Sequence, residues 1–111
     1  MSISDKILAT HIISECEKII KLTNTISYEE YKNSTTYQDA LIRPIEVIGE
    51  AAGNLSKKFE RANPDIIISN MIGMRNFLAH QYFRVDLDIV WQTCVFDIPQ
   101  IYQLMLSATY E

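Results

Sequence analysis

Apolar residues recur at steps of three and four along most of this chain, and this spacing constrains the fold more than any other feature. Because an α-helix turns once in about 3.6 residues, such steps place the apolar side chains on one helical face. Three glycines and three prolines among 111 residues leave few places for turns. No stretch alternates apolar and polar residues as a half-buried strand does. The sequence therefore predicts an all-α protein.

The apolar spacing predicts four long helices. We expect the first over residues 4–23, with Ser2 or Ser4 as its N-cap, and the second over residues 37–59. Asn63 and Pro64, followed by an acidic residue, predict that the third helix begins there and runs to residue 81. The fourth is expected to begin at Asp86 or Asp88 and to run to about residue 109, and a polar loop with a short helical turn is expected over residues 24–36. These helices predict one antiparallel four-helix bundle, a single domain comprising residues 1–111.

Prolines and glycines mark special positions in two of these helices. Pro44 and Pro99 lie inside the second and fourth predicted helices, and each lacks the N–H that a helix needs, so we expect bends there. Gly49 and Gly53 lie four residues apart on one face of the second helix. Since neither has a Cβ, the sequence predicts that another backbone approaches closely at this face.

Composition excludes several classes of protein. Ten Lys and Arg against fourteen Asp and Glu give a net charge of -4, which argues against sequence-independent coating of nucleic acid. The apolar runs are far shorter than the roughly 20 residues of a membrane span. The first residues lack the basic start and apolar stretch of a secretory signal. We expect a cytoplasmic protein with no membrane partner.

Metal and cofactor sites are not indicated by the sequence. Cys16 and Cys94 are far apart, and neither belongs to a Cys-x-x-Cys motif, so both are predicted to be buried apolar thiols. His11 lies five residues before Cys16, which does not place the two on one helical face, and no third ligand is near. We expect neither a metal nor a cofactor.

The end of the third helix carries the polar groups with the clearest chemistry. At about 100° per residue, Arg75, Asn76, His80 and Tyr82 share less than half of the helical circumference. Arginine can hold a phosphate by two parallel hydrogen bonds, and histidine titrates near neutrality. Histidine can take the proton of a ribose 2′-hydroxyl while arginine stabilises the charge of the transition state. These residues are suited to RNA cleavage without metal, although spacing alone gives only a modest signal.

The same residues also allow a purely structural interpretation. Arg75 can stabilise the end of the bundle by pairing with Glu50 or Asp86, and His80 can bond to the last carbonyls of its helix. Spacing alone leaves both interpretations open. In the catalytic interpretation, Glu50 supports the site by orienting Arg75 or His80.

The string from Ile72 to Phe83 resembles the signature of the HepT family of small HEPN ribonuclease toxins, which is R-x4-H-x-Y. Arg75, His80 and Tyr82 match the three motif positions, and Asn76 matches the polar residue that follows the arginine. Residues 48–56 and 97–99 resemble two further blocks of the family. Two residues depart from the pattern: Pro44 stands where another residue is usual, and Gln81 replaces a commonly small one.

The resemblance implies a HEPN-type homodimer in which two Arg75 and His80 faces meet in one cleft and cut RNA without metal. It also implies a partner, a minimal nucleotidyltransferase antitoxin that transfers AMP to Tyr82 in a type VII-like toxin–antitoxin pair. The alternative is a helical companion of a nucleotidyltransferase that binds a substrate or nucleotide without catalysis. Because Arg75, His80 and Tyr82 are all present at the family spacing, the sequence favours the ribonuclease.

Overall fold

The computed structural model describes residues 3–80 and 86–110, and no strand occurs among them, which confirms the all-α class. A π-helical segment, Thr93–Asp97, follows α6 directly and continues into α7. None of the helices in the described part of the chain is long and apolar enough to cross a membrane. The α-helices are α1 (Asp5–Thr25), α2 (Tyr28–Lys32), α3 (Thr35–Gly53), α4 (Lys57–Ala62), α5 (Ile68–His80), α6 (Leu87–Gln92) and α7 (Ile98–Leu106).

Helix α3 is the central element of the packing. It lies against α1 on one side and against α5 on another, and α1 also packs against α7. Each large aliphatic side chain buried at these contacts stabilises the fold by about 1.5–3 kcal/mol. The largest fully buried side chains come from these four helices and from α2, α6 and the π-helical segment: Ile12, Cys16, Ile19, Tyr31, Leu41, Ile45, Ile48, Met71, Val90, Cys94, Ile98 and Met105.

The first two helices begin at the signals that the sequence contains. Ser4 is the N-cap of α1, since its side chain accepts a hydrogen bond from the N–H of Ile7 at 3.2 Å. The predicted short helical turn is α2, where Ser27 and Glu30 form a reciprocal capping box. Both predictions are confirmed.

The second predicted helix, residues 37–59, is wrong in its length because two helices occupy it. Helix α3 ends at Gly53, and the side chain of Asn54 donates to the carbonyl of Glu50. Ser56 then caps α4, and the carboxylate of Asp5 accepts hydrogen bonds from both the N–H and the hydroxyl of Ser56. This long-range bond to the start of α1 stabilises the break, and Ser56 itself is a local N-cap signal that the predicted long helix passed over.

The predicted start of the third helix is also wrong. Helix α5 begins at Ile68, four residues after Pro64. Asn63 does not act as its cap, because the amide of Asn63 donates to the carbonyls of Phe59 and Thr109 and accepts from the N–H of Thr109. Asn63 therefore joins the end of α4 to the segment after α7.

Proline in the last helical stretch coincides with a change of helix type. Pro99 cannot donate to the carbonyl four residues before it, and its ring crowds that carbonyl. In the π-helical segment before it, backbone N–H groups donate to the carbonyl five residues back instead of four. The N–H of Ile98, for example, donates to the carbonyl of Thr93. Helix α7 ends at Leu106, three residues before the predicted end. Pro44, by contrast, is buried inside α3, which continues on both sides of it.

Candidate functional site

Arg75 lies on α5 at the place where this helix contacts α3. A Cβ built on Gly49 would lie 2.2 Å from the Cβ of Arg75 and 3.0 Å from the carbonyl oxygen of Met71. Real Cβ atoms do not come this close to another side chain, so the two helices approach at Gly49 because it is glycine. A Cβ built on Gly53 would have only the Cγ1 of Ile72 within 4 Å, at 4.0 Å. The predicted close approach is confirmed at Gly49 and absent at Gly53.

The Arg75 side chain is exposed although its stem lies at a helix contact. Its Nη1 donates to the Oδ1 of Asn76 at 3.4 Å. The ion pairs among the described residues are Lys18–Glu15, Lys32–Asp88 and Lys57–Glu60, and Arg75 is in none of them. Within that part of the chain, the Arg75 charge is not neutralised by a carboxylate.

The acidic partners considered for Arg75 are engaged elsewhere or exposed. Glu50 is exposed and forms no ion pair with Arg75 among the described residues. The carboxylate of Asp86 accepts from the N–H groups of Asp88 and Ile89 and caps α6. A supporting role of Glu50 therefore stays a prediction.

His80 is the last residue of α5. It lies five positions after Arg75 in the sequence, so its backbone lies about 7.5 Å further along the helix axis and about 140° around it. Tyr82 and Gln81 lie outside the described residues. The structure thus brings Arg75, Asn76 and the backbone of His80 onto one helix.

A groove runs along α5. Its larger part, about 470 Å³, lies between α5 and α7, and its smaller part, about 170 Å³, lies between α5, α3 and the start of the last helical stretch. Met74 lines both parts. Four large apolar side chains that line this α5 groove are exposed to solvent: Ile67, Phe77, Ile89 and Leu104.

A polar and aromatic cluster, missed at the sequence level, holds α2 against α6. The hydroxyl of Tyr28 donates to the carboxylate of Asp88, which also pairs with Lys32 at 3.1 Å. The hydrogen bond from Tyr28, followed by that from Lys32, holds the pKa of Asp88 below its usual range. The Tyr31 ring packs on Trp91, with centroids 5.1 Å apart. Because these partners are 56 to 60 residues apart, no spacing within the sequence could have found them.

Both cysteines are buried, as predicted. Burial raises the pKa of the Cys94 thiol to about 12, and burial together with the charges of Glu15 and Glu17 raises that of Cys16 to about 12. Among the described residues, no three His, Cys, Asp or Glu side chains are grouped so that they could hold a metal ion.

Comparison with known proteins identifies relatives of this chain. The family model described as Ribonuclease HepT-like matches residues 12–108. A protein of Thermococcus cleftensis named "Probable ribonuclease HepT" is 37% identical over 101 residues, which are 91% of this chain and 92% of the relative. A protein of Caldanaerobacter subterraneus subsp. tengcongensis named "Putative RNase" is 36% identical over 82% of this chain and 81% of its own.

A third relative, a "Putative RNase" of Methanocaldococcus jannaschii, is 41% identical over 81% of this chain and 78% of its own. No solved structure was found to match the chain. The family match covers most of the chain, includes the whole of the Arg75 to Tyr82 motif, and agrees with the resemblance seen in the sequence. The chain belongs to the HepT-like ribonuclease family.

Proposed function

We propose that this chain is a metal-independent endoribonuclease toxin with Arg75 and His80 as its catalytic residues. The observation that carries the proposal is the exposed guanidinium of Arg75, which no carboxylate of the described residues neutralises and which lies on the helix that ends at His80. An arginine in this state can bind an anionic phosphate. Membership of the HepT-like family and the names of the relatives support RNA as the substrate.

The proposed reaction is transesterification within the RNA backbone. The imidazole of His80 takes the proton of a ribose 2′-hydroxyl, and the 2′-oxygen forms a bond to the adjacent phosphorus. The bond from phosphorus to the 5′-oxygen breaks, leaving a 2′,3′-cyclic phosphate, and the 5′-oxygen takes up a proton. Arg75 stabilises the added negative charge on the phosphoryl oxygens in the transition state. Asn76, whose amide oxygen accepts from Arg75, supports the guanidinium.

We propose that the active form is a homodimer of four-helix HEPN bundles. The exposed apolar side chains of the α5 groove support this, because large apolar side chains grouped at the surface of a small protein often mark an interaction site. On the helical wheel the position of Phe77 is about 60° from that of His80. A second copy seated against Phe77 and Ile89 would bring the two His80 positions near the seam between the copies, where the second imidazole can return the proton.

Control is proposed to act through Tyr82. A minimal nucleotidyltransferase would transfer AMP to its hydroxyl, two residues after His80. The added phosphate is anionic and would compete with RNA for the charge of Arg75. This part of the proposal rests on the match of Tyr82 to the family motif.

Incubation of the purified protein with end-labelled RNA in EDTA tests the proposed activity. We expect discrete fragments that end in a 2′,3′-cyclic phosphate, since EDTA removes metal cofactors and leaves the Arg75 and His80 chemistry intact. A control protein carrying His80→Ala should leave the RNA whole. Binding of RNA without any cleavage by the parental protein would contradict a ribonuclease and favour a companion that binds without catalysis.

A further inference from the structure

We propose that Gly49 is a positioning residue, which sets the direction in which Arg75 presents its guanidinium to an RNA phosphate. This role rests on the proposed function of Arg75. Gly49 lies on a different helix, α3, and has no side chain of its own. Gly49 is buried, so it acts through Arg75 and does not touch RNA itself.

Arg75 lies on the buried side of α5. On the helical wheel Arg75 lies within about 40° of Ile68 and Met71, both of which are buried. An arginine on this side of α5 points at the neighbouring helix, where a charged side chain is usually excluded. Its guanidinium nevertheless reaches solvent, because the stem passes over the bare backbone of Gly49.

The stem of Arg75 lies directly against the backbone of α3 at Gly49. The nearest atom is the Cβ of Arg75, at 2.2 Å from a Cβ built on Gly49, and its Cγ follows at 3.0 Å. A Cβ is attached directly to the backbone and has no freedom to turn aside, unlike the end of a long side chain. Any residue larger than glycine at this position must therefore move α5 relative to α3, and Arg75 moves with it.

Gly53 provides the matched control. It lies on the same helix as Gly49, and its built Cβ makes only an ordinary contact with Ile72, at 4.0 Å. Substitution of Gly53 by alanine adds the same methyl group without moving Arg75.

The test is the salt dependence of binding to a single-stranded RNA with 2′-O-methyl groups, which lacks the attacking hydroxyl and is not cut. The logarithm of the binding constant falls with the logarithm of the salt concentration by about 0.7 for each phosphate contact on a single strand. We expect Gly49→Ala and Arg75→Ala to reduce this slope equally, by about one contact for each chain. The combined variant should match Arg75→Ala alone, and Gly53→Ala should keep the parental slope.

A role limited to stability would give a different result. Partial unfolding lowers the concentration of binding-competent protein but leaves the slope of the folded fraction unchanged. A parental slope in Gly49→Ala, or a further reduction in the combined variant, would overturn the inference. If the parental protein binds RNA but does not cut it, the proposed ribonuclease activity is wrong. The salt dependence of RNA binding still decides the role of Gly49 in that case. Absence of RNA binding by the parental protein would overturn both.

Loss of the helical circular dichroism in Gly49→Ala calls for one further variant. Arg75→Gly removes the Cβ with which the new methyl group collides. Recovery of helical structure when Gly49→Ala is combined with Arg75→Gly would support the inference, because the stem of Arg75 is then what Gly49 accommodates. Failure to recover would assign the clash to the carbonyl of Met71 and overturn it.

Discussion

The hydroxyl of Tyr31 donates to the carbonyl oxygen of Leu87 at 2.7 Å, joining α2 to the first residue of α6 across 56 positions of sequence. The Tyr31 ring is fully buried and packs on Trp91. Burial also raises the pKa of its phenol, so the hydroxyl stays protonated and able to donate. Helix α2, a five-residue element, thereby fixes where α6 begins, directly after the segment that contains Tyr82.

We predict that Tyr31→Phe lowers the free energy of unfolding by about 1 kcal/mol, the typical net contribution of one such hydrogen bond. Urea denaturation monitored by circular dichroism measures this free energy. Tyr102→Phe is the matched control, since its hydroxyl donates to Glu17 on the exposed surface, and its effect should stay within about 0.5 kcal/mol. Equal losses of unfolding free energy in the two variants would show that the buried bond to Leu87 stabilises the fold no more than the exposed bond to Glu17 does.

The buried thiols predict a loss of stability at high pH. The pKa values of Cys16 and Cys94 rise from 9.0 to about 12 in the folded chain. Above pH 9 the unfolded chain therefore releases protons that the folded chain retains, so the free energy of unfolding falls as pH rises toward 12. Urea denaturation at pH 8 and pH 10 measures the fall. It should be smaller when both cysteines are replaced by alanine, and an unchanged fall would assign it to other groups.

The sequence allowed prediction of the features that depend on local spacing. The all-α class, the Ser4 cap, the short helix in residues 24–36 and the close approach at Gly49 all follow from neighbouring residues. The break before Ser56 was missed although Ser56 is itself a local N-cap signal. The bonds that join Ser56 to Asp5 and Asn63 to Thr109 were missed because their partners are about 50 residues apart. The identity of the residue that meets Gly49 was missed for the same reason: spacing predicts room for a neighbour but not which neighbour arrives.

Removal of either proposed catalytic side chain should abolish RNA cleavage without unfolding the protein. Arg75→Ala keeps the Cβ that meets Gly49, so the contact between α3 and α5 persists. We expect a loss of at least about 100-fold in rate for Arg75→Ala and for His80→Ala. Arg43→Ala, which removes another exposed arginine, should cut at the parental rate. Cleavage by folded His80→Ala at the parental rate would show that histidine catalysis is wrong.

The protein should be a dimer at micromolar concentration, with twice the 12.8 kDa mass of one chain in light scattering. Phe77→Glu places a charge in the α5 groove and should shift the mass toward that of one chain. Phe96→Glu is the control, because Phe96 is more exposed, at 64% against 37%, but does not line the groove. A parental mass near 12.8 kDa would exclude a cleft that is shared between two copies of the chain. A dimer that persists in Phe77→Glu would place the interface elsewhere.

Modification of Tyr82 should silence the ribonuclease. Co-expression with a minimal nucleotidyltransferase encoded beside it should add roughly 329 Da for each AMP group to the peptide that contains Tyr82, as covalent attachment requires. Each group brings an anionic phosphate within two residues of His80, where it competes with RNA for Arg75 and obstructs the cleft. Tyr82→Phe should keep its activity in the presence of the partner, whereas Tyr37→Phe should be modified and silenced as the parental protein is. If the partner silences the protein while Tyr82 stays unmodified, inhibition occurs by direct binding and not by AMP transfer.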